Sequence, residues 1–117
     1  MGEEASLEVT VTEDMLVNLG GRRIHPVYST VSMVGHMEQA ARMLVERHFR
    51  PGEDATGYQV AVTHERPARV GERLQVTGRV TGVDDRECRS EHEVRGPTGR
   101  IGWGTMVQRY IPAGLLA

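Results

Sequence analysis

Hydrophobic and polar positions alternate at the start of the chain. Leu7, Val9 and Val11 are separated by Glu8, Thr10 and Thr12. A period of two predicts a strand with one buried face. Glu13 to Ile24 is irregular, is broken by Gly20-Gly21 and is closed by Pro26, so it reads as a short helical turn and a loop. From Ser32 to about His48 the period changes. Met33, Met37, Ala40, Ala41, Leu44 and Val45 fall at helical spacing, with Ser32 as a possible N-cap and Pro51-Gly52 beyond the end. Arg47 and Arg50 lie late, where cations suit the helix dipole.

After the helix the pattern is that of strands. Gly57 to His64 is one. Arg73 to Val83 alternates Leu74, Val76 and Val80 with Gln75, Thr77 and Arg79. Asp84-Asp85 marks a turn. Arg86 to Arg95 is a polar strand with Cys88, Ser90, His92 and Val94 on one side. Gly96-Pro97-Thr98-Gly99 is a second turn, and Arg100 to Ile111 follows with Ile101, Trp103, Thr105 and Val107 expected on one face. One helix among five strands predicts an α+β fold with a mostly antiparallel sheet curled over a buried helix. The length, 117 residues, fits a single domain over 1–117. A sheet of this kind leaves an edge open, and pairing with a second copy would cover it.

Composition removes several chemistries. All 14 basic residues are Arg, which excludes a Schiff-base or phosphate-loop lysine. A net charge of −2 without a basic stretch argues against nucleic acid. Cys88 is the single cysteine, so neither an intrachain disulfide nor a Cys-rich metal site is expected. The N-terminus is acidic with no apolar run behind it, and no stretch has the apolar length of a membrane span. A cytoplasmic protein is therefore the expectation. A Gly-x-Ser-x-Gly elbow is absent. His92-Glu93 lacks the second histidine of a metalloprotease helix, and Gly102-Trp103-Gly104 lacks the third glycine of a dinucleotide loop.

Three polar residues stand where core patterning does not call for them: Thr30 in the loop entering the helix, Glu38 beside its buried stripe, and His64 closing the run Val60-Ala61-Val62-Thr63. A carboxylate beside an apolar face is costly unless paired or hydrogen-bonded, and a strand-end histidine would be a suitable partner. On periodicity alone, a solvated Glu38 and a rim His64 are the favoured reading.

The segments that carry these residues resemble a known family. Tyr28-Ser29-Thr30-Val31-Ser32-Met33-Val34-Gly35-His36-Met37-Glu38, then Gly57 through Val62-Thr63-His64, then Val70-Gly71-Glu72-Arg73-Leu74 and Gly102-Trp103-Gly104-Thr105 are similar to the fluoroacetyl-CoA thioesterase type of hotdog protein. The likeness spans roughly residues 20 to 111. It implies a hotdog fold, with a long helix wrapped by a curved five-stranded antiparallel sheet, that dimerises and can stack to a tetramer. It implies hydrolysis of an acyl-CoA or acyl-carrier-protein thioester at a dimer interface, with Thr30, Glu38 and His64 as the catalytic set. No separate cofactor is implied, since coenzyme A arrives as part of the substrate.

Thioester hydrolysis needs attack on the acyl carbon, a base for water and an oxyanion site. Glu38 suits nucleophile or base, and His64 suits a base paired with Glu38. Thr30 would orient Glu38 or hold substrate. Backbone N–H groups near Val34 and Gly35 are expected to form the oxyanion site. Gly57 would let backbone approach the acyl group, and His36 would line its pocket. Arg22, Arg23, Arg66 and Arg69 suit the phosphates of coenzyme A. Met106 stands where the family often has His, and Arg109 falls one place from its usual Arg. A non-catalytic hotdog dimer that binds acyl thioesters, or a hotdog hydratase or dehydratase, is the alternative.

Overall fold

A computed structural model describes residues 2–117. Its main sheet holds five strands: β1 (Glu4–Thr10), β4 (Glu53–His64), β5 (Arg73–Val83), β6 (Glu87–Gly96) and β7 (Gly99–Pro112). They lie side by side in the order β1-β5-β6-β7-β4, every neighbour antiparallel. The helix α1 (Thr30–Val45) packs on one face of this sheet. This is the α+β arrangement expected from the pattern.

The stretch read as a turn and a loop is more ordered than that. A single 3-10 turn at Glu13–Met15 leads into a hairpin, β2 (Leu16–Leu19) and β3 (Arg22–Tyr28). Gly20 and Gly21 join its arms with φ of 59° and 79°. Both central residues of this turn type need positive φ, which only glycine adopts without strain. The hairpin was hidden because its strands are short and mostly exposed, so little alternation marks them.

The helix also begins earlier than its apolar spacing indicates. Ser29, not Ser32, is the N-cap, and its hydroxyl accepts the Ser32 N–H at 2.9 Å. Thr30 is therefore the first helical residue rather than part of the entering loop. Every apolar residue assigned to the helix stripe is buried. The N-terminal part packs in a cluster with Tyr28, Leu74, Val76, Val94, Ile101 and Met106. Leu44 and Val45 pack at the other end with Ala5, Ala55, Val80 and Cys88. Burying a Leu, Val or Met side chain stabilises by about 1.5–3 kcal/mol, so the stripe anchors the helix to the sheet.

Strand β6 turns Cys88, Ser90, His92 and Val94 inward as its pattern indicated. Strand β7 does not follow its apolar alternation. Its inward side carries Gly102, Met106 and Gln108, while Trp103 and Thr105 lie on the outer face. A register shift between Val94 and Arg95 accounts for Ile101, which stays buried. The helix passes too close for side chains here. A Cβ at Gly102 would sit 2.6 Å from Met33 Sδ. Glycine thus replaces the apolar residues that would have marked the inner face.

Candidate active site

Thr30, Val34 and Glu38 recur every four residues and share one helix face. This face lies towards β4, which is the edge strand of the sheet. Near the middle of β4 the Glu38 carboxylate lies over Gly57. A Cβ at Gly57 would come within 2.8 Å of Glu38 Oε2, so a side chain there would displace the carboxylate from this position. Glu38, Gly57, Val34, Val60, Met106 and Gln108 line a cavity of about 290 Å³. Glu38 is exposed and has no hydrogen bond or ion pair among the described residues.

At the C-terminal end of β4 Thr30 Oγ1 lies 2.9 Å from His64 Nδ1. Burial lowers the His64 pKa below that of a free imidazole, and a hydrogen bond with the Arg66 backbone opposes this only in part. The ring is therefore neutral at neutral pH and able to accept a proton. The edge of Tyr28 packs against it, with ring centroids 6.1 Å apart.

The expected Glu38–His64 pair does not form within one chain. His64 takes Thr30 as its partner, and Glu38 stands at Gly57, seven residues back along β4. His36 is also placed differently from the expectation. Its Nδ1 is 2.5 Å from the hydroxyl of the fully buried Tyr28, with the two rings stacked, and it does not line the Glu38 cavity. Burial raises the Tyr28 pKa and lowers that of His36, so both are neutral and Tyr28 donates to His36.

The earlier helix start also moves the free amides. The N–H groups of Val34 and Gly35 fall inside the ladder that links each residue to the fourth before it. Ser29 takes the N–H groups of Ser32 and Met33. Those left uncommitted are on Thr30 and Val31, beside His64. Gly35 lines neither the Glu38 cavity nor a close contact.

Of the candidate phosphate-binding arginines, Arg23 is held by Asn18 and Glu13, and Arg66 donates to the Thr98 carbonyl. Arg22 and Arg69 form no ion pair among the described residues. Arg109 does not line the Glu38 cavity, but it lies over the ring of Tyr58, which does, and beside Glu87. The residue that sequence reasoning missed is Gln108, a buried polar side chain within a strand otherwise read for its apolar residues. A larger groove of about 660 Å³ crosses the outer sheet face. Its charges neutralise one another, Arg79 with Glu91 and Arg100 with Glu93.

With this geometry in place, comparison with known proteins is decisive. The model of the fluoroacetyl-CoA-specific thioesterase family matches residues 11–113. The chain belongs to that family. Thioester hydrolysis is accordingly its activity. A Thermus thermophilus hypothetical protein, a thioesterase superfamily member, is 32% identical, with a TM-score of 0.92 over 98% of this chain and 85% of that one. The fluoroacetyl-CoA thioesterase FlK is 25% identical, with a TM-score of 0.86 over 95% of this chain and 87% of its own. A hot-dog-like protein from Thermanaerovibrio acidaminovorans shares the fold at 19% identity, with a TM-score of 0.87 over 98% of this chain and 85% of that one. No curated protein matches the sequence. Among the described residues no helix is long and apolar enough to cross a membrane.

Proposed function

We propose that this family member hydrolyses a coenzyme A thioester at a site completed by a second copy of the chain. The observation that carries the reading is the division of the candidate set between the middle of β4 and its C-terminal end. Gly57 and His64 are seven residues apart, roughly 20 Å along a strand. That is too far for Glu38 and His64 of one chain to act on one carbonyl.

Strand β4 is an open edge of 12 residues with Tyr58 and Val60 about half exposed. Such an edge favours addition of another strand. Antiparallel pairing of two β4 strands about a two-fold axis near Val60 and Ala61 sets Gly57 opposite His64 of the partner subunit. Glu38 of one chain then shares a site with Thr30 and His64 of the partner subunit.

In that site Glu38 attacks the acyl carbon and expels the thiolate, giving an enzyme-bound anhydride. Thiolate leaves readily, so no strong general acid is needed. The neutral His64 takes a proton from water, which attacks the anhydride, and the free acid leaves with Glu38 restored. Thr30 fixes the His64 ring through its hydroxyl. The free N–H groups of Thr30 and Val31 face the developing oxyanion. No cofactor enters beyond the coenzyme A of the substrate.

The test is thiol release from short, long and aromatic acyl-CoAs by wild type and Glu38→Gln. We expect release by wild type and a loss of at least about 100-fold in the variant. Acyl-CoA binding without release would instead support a binding dimer. Release only from acyl-carrier-protein thioesters would change the carrier.

A further inference from the structure

Gln108 is 5% exposed and sits on the inward face of β7. It is the strand partner of Gly57, the residue over which Glu38 lies. It lines the Glu38 cavity with apolar Val34, Val60 and Met106, and with Glu38, Thr56, Tyr58 and Gln59, none of which bonds its amide. Its Oε1 is buried without a hydrogen bond, and no other partner for the amide occurs among the described residues. Buried side-chain amides are nearly always paired, because an unpaired one forfeits its hydration without return. A methionine or leucine would fill the same place without that cost.

We infer that Gln108 recognises a polar group on the acyl chain, and that the substrates are hydroxyacyl thioesters rather than plain alkyl ones. This rests on the thioesterase reading of the Glu38 site. A hydroxyl both donates and accepts, so it satisfies whichever end of the amide turns to meet it. The position of the hydroxyl follows from the sheet. Adjacent strands are about 4.8 Å apart, so a group held by Gln108 lies about that far from an acyl carbon held over Gly57. A hydroxyl on the γ carbon of an extended chain has that reach, whereas one on the β carbon falls about 1 Å short.

The experiment compares 4-hydroxybutyryl-CoA with butyryl-CoA, each less its enzyme-free blank, for wild type and for Gln108→Met, a substitution of similar volume. Wild type should favour the hydroxyacyl substrate in kcat/KM by about 10- to 100-fold, the range that one buried hydrogen bond to an otherwise unpaired group supports. Gln108→Met should bring the ratio near one, chiefly by losing the hydroxyacyl substrate. It should melt no lower than wild type, since it removes an unpaired polar group. A wild-type ratio near one, or one that survives Gln108→Met, overturns the inference while Glu38-dependent release of butyrate keeps the thioesterase reading. A marked fall in melting temperature also overturns it, because Gln108 would then have a structural partner. Absence of hydrolysis of either thioester, in wild type, overturns both.

Discussion

Two histidines in this molecule pair with a serine or threonine hydroxyl, and burial lowers the pKa of both. His92 is 3% exposed beneath the helix, with Nε2 2.7 Å from Ser90 Oγ. Its pKa falls to about 4, chiefly through burial. Its ring fits because β5 offers Gly78 opposite, where a Cβ would come within 2.6 Å of it. His64 meets Thr30 in the same way but lies at the open edge, half-buried, on the helix face that carries Glu38. The side-chain chemistry is nearly the same, and in each ring the second nitrogen is buried without a side-chain partner, so what differs is position. His92 lies under the helix, whereas His64 lies beside the unpaired edge where we propose that a second copy completes the site.

The largest effect separates the two histidines by activity. His64→Ala should lower kcat by about 100- to 10,000-fold, the range of a positioned base, while circular dichroism stays that of wild type. His92→Leu should keep kcat within a few-fold of wild type. A loss of activity in His92→Leu that matched His64→Ala would erase the distinction.

Acid should act first on the His92 pair. The unfolded chain protonates His92 near pH 6.5 and the folded chain only near pH 4. Protons therefore bind the unfolded state preferentially between these values, and stability falls as pH falls through that window. The loss is roughly 3 kcal/mol, read by urea denaturation at pH 7 and pH 4. His92→Leu should lose clearly less over the same range. The pH–rate profile belongs to the His64 pair instead. Its acid limb should lie below pH 6.5, because burial depresses His64, and the rate should be level above it.

The hydroxyls give the smallest contrast. Thr30→Ala should lower kcat by about 10-fold with little change in melting temperature, because Thr30 is exposed. Ser90→Ala should leave kcat unchanged and cost about 1 kcal/mol of stability, the worth of one buried hydrogen bond.

The helix stripe from Met33 to Val45 and the inward side of β6 were legible because burial on one face imposes a period that the residues follow. The β2–β3 hairpin was not, since its exposed strands carry almost no period. Strand β7 was misread because its inner positions 102 and 104 are glycine, crowded by Met33 of the helix at Gly102 and by the β4 backbone at Gly104, and glycine leaves no apolar mark. Thr30, Glu38 and His64 stood out against core patterning, and family resemblance gave them a catalytic role. Their separation within one chain was not legible, because sequence spacing carries no record of where along β4 each one meets the strand. Gln108 was passed over for a related reason: a glutamine within a strand ordinarily indicates the solvent face, and here it faces the helix.

The most direct test of the account mixes two inactive variants. Glu38→Gln and His64→Ala are unfolded and refolded together, and acyl-CoA hydrolysis is compared with that of each variant refolded alone. If each site joins Glu38 of one chain to His64 of the other, half of the dimers formed are mixed and each has one intact site. The mixture should regain about a quarter of wild-type activity. Activity that stays at the level of the separate variants, with mixed dimers shown to have formed, would contradict a shared site.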